Sequence, residues 1–555
     1  MKVNKRRLLI YSALIFVTAF AIVYGFIRRD LEFKYYYDSR VEKVIKTAPR
    51  YVIDATFDPK KEMVFAVQTV VFQNRTPNEL SEIIFHIYPE AFKSLKTAPF
   101  PTEELKYAYP EGFSEGFINI TNVTSKERKL NFKKEGTLLK VNVPEPLKPG
   151  EEIEIKIEFQ EKVPFSLGRF GHGKNTYNFG NWYPILSVYD ENGWKLDPYY
   201  SIGDPFYSDT ASFKVSITAP DGFTIAATGK PVKKIIKSGS TTWVFEAELV
   251  RDFAWVAGSD LKAISGKVDG TKINVYYFGN DEDAAKKALE YGKQALRFFN
   301  RYFGPYPYDE YSIVMSDFYM GGMEYPNLVL IDHHMLDDEV LLEYVIVHET
   351  AHQWWYGLVG NNQVKEPWLD EAMTEYSTVL YYEGVYGMAK GMEVYQDFIL
   401  YPYRFFELGN SSGPILRPVS QFKSWGEYDA TVYKKGAIML KELESRIGKS
   451  KMREALRFYL KQNVFGNATT DDFVNAVSGT MGTDFGEVIY EMLKKPGRMG
   501  VDGVEGRNKR TYSFRFGNTV FQYKPDTHQV CRGTAGGGNS LFQDAHWQFF
   551  YIYRG

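Results

Sequence analysis

The stretch Leu341–His352, which reads LLEYVIVHETAH, constrains the fold more than any other part of the chain. Its apolar residues recur at helical spacing, and His348 and His352 are four residues apart. Both rings therefore leave one face of a helix, one above the other. Such a pair can meet at one metal ion, with bonds to nitrogen of about 2.0–2.1 Å. Glu349 projects close to the same face, placed to take a proton from metal-held water. A catalytic metal needs a third protein ligand. Glu371 lies 19 residues after His352, behind Pro367. Proline suits the first turn of a helix, so a helix, a connection and an antiparallel second helix would bring Glu371 back to the histidines. Glu375, one turn further along the same face, is either a partner that fixes a histidine tautomer or a solvated helix residue. The chain has only 8 histidines in 555 residues. Chance is therefore a poor explanation of this spacing with its returning carboxylate. Two histidines and a glutamate suit zinc, and other divalent ions can use the same donors. His333 and His334 are adjacent, do not share a face of an element, and read as loop histidines.

Composition narrows the alternatives. Lys and Arg total 67 against 69 Asp and Glu, so the overall basicity that nucleic-acid binders use is absent. A single cysteine, Cys531, excludes an intramolecular disulfide scaffold and a cysteine-based zinc ribbon. Near the N-terminus, residues 8–27 carry no charge. As a helix they would span about 30 Å, the thickness of a bilayer core. The expectation is a single-pass anchor at the cell membrane, with residues 1–7 as a cytoplasmic tail and the bulk of the chain extracellular. Ala19-Phe20-Ala21 offers the alternative of a cleaved signal peptide.

The rest divides by pattern. Residues 28–50 are charged and aperiodic and read as a stalk. From Tyr51 to about Gly258, two-residue alternation prevails, as in Ile153, Ile155, Ile157 and Phe159 between charged neighbours. This is an antiparallel β-rich domain. From 259 to about 495 helical spacing dominates, with segments at Asp283–Gly304, Asp338–Leu358, Pro367–Tyr382, Tyr433–Arg446 and Lys451–Gln462. After Pro496 the pattern fails, and residues 496–555 have no assignable fold; an altered reading frame near their start would account for this.

Taken as a set, HETAH, 18 intervening residues and Glu371 within WLDEAMTEY resemble the M1 family of zinc metallopeptidases, the aminopeptidase N-like gluzincins. Gly321-Gly322-Met323-Glu324 is similar to the family's G-x-M-E-N segment. Tyr433-Lys434-Lys435-Gly436 is similar to the segment with its catalytic tyrosine, and Asn181-Trp182-Tyr183-Pro184 to the N-terminal domain of bacterial members. The resemblance covers about residues 51–495. It implies a multidomain chain in which a thermolysin-like α+β zinc peptidase domain follows the β domain. It implies one zinc ion on His348, His352 and Glu371, with Glu349 as the base. It assigns Tyr433 to the oxyanion, with Tyr428 as a second candidate. Glu324 would bind the free α-amine of a peptide, and Gly321, Gly322 and Met323 would line its path. The implied activity is removal of N-terminal residues from peptides. A zinc endopeptidase and a non-catalytic surface protein that binds peptides are the alternatives. Where the family has asparagine after the glutamate, this chain has Tyr325 and then Pro326, so the asparagine's contact is not carried over. Few residues follow Lys495, and a site open to longer peptides is the corresponding expectation.

Overall fold

The computed structural model describes residues 36–497 and 499, and the backbone of strands Tyr512–Phe516, Thr519–Lys524 and Gln529–Gly533. The uncharged run 8–27 and the tail 1–7 lie outside the described residues. Among the described residues no helix is long and apolar enough to cross a membrane.

Alternating burial builds the β-rich half. In Arg50–Asp58 the side chains of Tyr51, Ile53, Ala55 and Phe57 point inward, while their neighbours face out. This strand lies in an eight-stranded sheet. Its spatial order is Lys230–Lys237, Ser240–Val250, Ala211–Pro220, Arg50–Asp58, Met63–Gln73, Glu152–Lys162, Phe117–Ser125 and Arg128–Lys129. All neighbours are antiparallel except Arg50–Asp58 and Ala211–Pro220, which run parallel. Two four-stranded sheets share its core. Large rings fill that core, and Phe179 stacks on Trp255 with centroids 3.6 Å apart.

The last strand of this half ends at Gly258. The next, Lys262–Val268, opens a five-stranded mixed sheet followed in space by Thr271–Tyr277, Glu310–Ser316, Leu328–Asp332 and Gly322–Met323. The strands Glu310–Ser316 and Leu328–Asp332 are covered on both faces and are therefore largely apolar on both sides. Ile313, Met315, Val329 and Ile331 face the helices, whereas Val314, Leu328, Leu330 and Met323 join the core of the β-rich half. Period-two geometry thus joins the two halves through one sheet. Helix Glu282–Tyr302 packs beneath with Ala288, Ala295, Leu296 and Phe299 buried.

Two readings are corrected, and one left open is filled in part. Residues 36–48, read as stalk, fold onto the helical half. Residues 36–44 are helical, Tyr37 and Ala48 enter its core, and Arg40 Nε donates to Val464 O at 3.2 Å. The reason is aromatic: Tyr37 packs against Phe465 with centroids 6.1 Å apart, and only burial removes such a ring from water. His333 and His334 do meet. They lie in a 3₁₀ turn, His333–Asp337, with centroids 4.0 Å apart, because a tight turn does not separate consecutive side chains as an extended strand does. In the C-terminal region, whose fold the sequence left unassigned, three described strands form an antiparallel sheet.

Candidate metal and substrate site

The helix Glu339–Ala351 starts on Asp338, whose side chain accepts the N–H groups of Val340 and Leu341. That satisfies donors the first turn would otherwise leave free. The helix is buried along most of its length, which explains a sequence apolar on nearly every face. It stops at Ala351, with His352 as its cap. The second helix, Trp368–Val385, is almost wholly buried and carries Glu371 in its first turn and Glu375 in its second.

These helices bring the three predicted ligands together. His348 Nε2 and His352 Nε2 are 3.1 Å apart, and Glu371 Oε2 lies 3.5 Å and 3.2 Å from them. Two donors bound tetrahedrally at about 2.0–2.1 Å stand about 3.3 Å apart. Glu371 Oε2 is buried without a hydrogen-bond partner, as a ligand atom should be when it faces an ion. The donor set therefore fits a zinc-sized ion. His352 Nδ1 lies 3.0 Å from Trp355 O and 3.1 Å from Thr374 Oγ1. The ring is thereby turned with Nε2 toward the other donors. Glu375 is not solvated: its Oε2 lies 3.9 Å from His348 Nδ1, and Lys434 and Tyr344 donate to its carboxylate.

Glu349 is buried, and its Oε2 has no partner. Burial pushes its carboxyl up, and the nearby Glu324, Glu371 and Asp204 add to this against the pull of His352. A carboxylate reluctant to stay charged is a good proton acceptor. Glu349 leans against the sheet edge Gly322–Met323, where a Cβ on Gly322 would lie 2.0 Å from its Oε1. Gly321 has φ +86°, a conformation that favours glycine. Met323 is buried, and Glu324 follows it, also buried. Tyr433 OH donates to Glu371 Oε1 at 2.6 Å, and its ring lies 6.0 Å from that of His348. It sits in a π-helical turn, Asp429–Lys435, an irregularity common at functional sites. Tyr428 packs edge-on against Tyr433, with centroids 5.8 Å apart.

Four residues here were not found in the sequence. Asp204 comes from an irregular loop of the β-rich half and is buried. One carboxylate oxygen from each of Asp204, Glu324 and Glu371 lies within 4.8 Å of the others. Burial pushes Asp204 up to about 8, although Arg169 pulls the other way. The buried Arg169 holds it through one guanidinium nitrogen and donates Nε to Met323 Sδ at 3.0 Å. Gly203, with φ +72°, delivers the loop; a Cβ there would lie 2.8 Å from the Tyr428 ring. Gln363 Nε2 bridges Asp370 Oδ2 at 2.5 Å and Glu324 Oε1 at 3.4 Å. Arg169, Asp204 and Gln363 sit in aperiodic stretches and offer no motif. Only Asp370, beside Glu371, had a local signal.

Tyr325 does not join these carboxylates. Its hydroxyl donates to Asn181 Oδ1 at 3.0 Å and lies over Gly180, where a Cβ would stand 1.8 Å from the Tyr325 hydroxyl oxygen. The residue standing in for the family's asparagine therefore packs between the two halves.

Comparison with known proteins agrees with this geometry. Residues 287–493 match the peptidase family M1 domain. Aminopeptidase N of Lactobacillus helveticus is 25% identical over 381 residues, covering 63% of this chain and 43% of that protein. Human endoplasmic reticulum aminopeptidase 2 is 26% identical over 393 residues, covering 65% and 40%. The chain thus spans less than half the length of these relatives. The crystal structure of an M1 zinc metallopeptidase from Deinococcus radiodurans superposes with a TM-score of 0.59 at 17% identity, covering 82% of this chain and 97% of that one. Residues 287–493, which hold His348, Glu349, His352 and Glu371, thus match the peptidase family M1 domain, and most of the chain shares the two-part fold of an M1 zinc metallopeptidase.

Proposed function

We propose that the protein is a zinc-dependent aminopeptidase. The observation that carries the proposal is the meeting of His348 Nε2, His352 Nε2 and Glu371 Oε2 within 3.1–3.5 Å of one another, beside an unpartnered Glu349. Zinc held there supplies Lewis-acid chemistry, acidifying a water and polarising a carbonyl. Glu349 takes the water proton and hands it to the leaving amine. The Tyr433 hydroxyl donates to the oxyanion that develops on the scissile carbonyl. Glu324 and Asp204 receive the substrate's α-ammonium by charge-assisted hydrogen bonds, with Arg169 fixing Asp204. The edge strand Gly322–Met323 offers its free side to an extended peptide. The aminopeptidase names of the matched relatives support this reading. So does a Deinococcus radiodurans M1 mutant crystallised with a Tyr-Ser-Ala substrate.

The test is hydrolysis of matched free-amine and N-acetylated peptides, with and without a chelator. Chelator-sensitive cleavage of the free-amine peptides alone is expected. Equal cleavage of the blocked peptides would make the enzyme an endopeptidase, and no cleavage would leave a peptide-binding protein.

For location, we propose that residues 8–27 anchor the protein in the cell membrane, with the catalytic half extracellular. The 20-residue uncharged run supports this. Protease treatment of intact cells should release the catalytic half; a fully protected protein would contradict that orientation.

A further inference from the structure

We propose that Arg251, a residue of the β-rich half, is a positioning residue for the metal ligand His352. The inference rests on the zinc reading above. His352 caps the helix that ends at Ala351, its N–H bonded back to His348 O at 3.2 Å. Its carbonyl side is held by the turn that follows, where Gly357 N–H donates to His352 O at 2.9 Å and Leu358 N–H to Gln353 O at 3.1 Å. The same turn supplies Trp355 O to His352 Nδ1 at 3.0 Å. The next residue, Tyr356, has φ +143°, a backbone state that a bulky residue holds only when its surroundings impose it.

Arg251 imposes it. Its Nε donates to Tyr356 O at 2.5 Å. One terminal nitrogen donates to Ser208 O at 3.1 Å and to Asn467 Oδ1, and the other to Gly466 O. Arg251 is 2% exposed and its guanidinium packs against Gly360, where a Cβ would stand 2.0 Å from Cζ. Two further strained residues border the same seam. Leu249, at φ 52°, accepts from Tyr308 OH at 2.8 Å, and Phe465, at φ 59°, accepts from Thr210 Oγ1 at 2.9 Å. A planar fork with five donors suits several fixed carbonyls at once, and an ammonium does not. Without the fork, Tyr356 relaxes toward negative φ. That rotates the Trp355–Tyr356 peptide and withdraws the carbonyl that orients His352. Partners of this kind contribute roughly tenfold to a hundredfold in metal affinity.

The test compares the full chain with Arg251→Met and Arg251→Lys. Zinc affinity is read by competition with a chromogenic chelator, alongside KM and kcat at saturating zinc and the melting temperature of the zinc-free protein. The proposal expects zinc binding weakened roughly tenfold to a hundredfold in Arg251→Met and less in Arg251→Lys, with KM unchanged. A lower melting temperature with wild-type zinc affinity would mark Arg251 as merely structural and overturn the proposal. Should Arg251→Met fail to fold, undiminished zinc affinity in Arg251→Lys would overturn it equally. A wild-type chain that takes up no zinc would instead overturn the zinc reading itself.

Discussion

A methyl group at position 322 would stand 2.0 Å from Glu349 Oε1. Glycine there lets the carboxylate lie against the sheet edge, within reach of the metal donors. Gly322→Ala should therefore displace Glu349 while leaving His348, His352 and Glu371 in place. A displacement of about 1 Å can cost about a hundredfold in rate. The expected outcome is kcat lowered by that order with zinc content unchanged, read by steady-state kinetics and elemental analysis. Unchanged kcat would mean that Glu349 is not held by this edge. Position 322 also shows what a motif can carry: Gly-Gly-Met-Glu was readable as a segment, but the clash that requires its second glycine depends on a helix packed from elsewhere in the chain.

At the scale of elements, the two metal helices were legible because their chemistry repeats at helical spacing. Their ends were not. The pattern ran on to Leu358, whereas the helix stops at Ala351, since the apolar residues that follow are buried in a turn. Glu375 could not be assigned because burial, not spacing, decides whether a carboxylate is solvated. The loop with Asp204 was silent, because its role depends on Arg169 from one stretch and Glu324 from another. Asp204→Asn tests that loop. KM for free-amine peptides should rise about tenfold, the scale of one charge-assisted hydrogen bond of about 1.5 kcal/mol, with kcat and melting temperature little changed. A lowered melting temperature with KM unchanged would make the loop structural only.

For the whole molecule, one core feature ties stability to pH. His86 is buried in the β-rich half, 3.2 Å from Lys195 O, and its ring stacks on Tyr88. Burial pulls it from 6.5 down to about 4, against the opposing pull of that carbonyl. The folded protein keeps the ring neutral where the unfolded chain would protonate it. Its contribution is therefore full above pH 6.5 and is lost as pH falls toward 4, at most about 3 kcal/mol. His86→Phe should flatten the fall in stability between pH 6.5 and 4, measured by denaturant unfolding. An unchanged slope would show that His86 is not the group responsible.

The two halves share one sheet, and the site lies where they meet: ligands from two helices, an edge strand of the shared sheet, and Asp204 from the β-rich half. The central claim is that this assembly holds zinc and that Glu349 moves the proton. Zinc content and peptide turnover of Glu349→Gln, measured beside the wild-type chain, test it most directly. The account predicts one zinc per chain in both proteins, and turnover lowered about a hundredfold to ten-thousandfold in the variant. Near-normal turnover by Glu349→Gln, or a wild-type chain that cleaves peptides without metal, would contradict it.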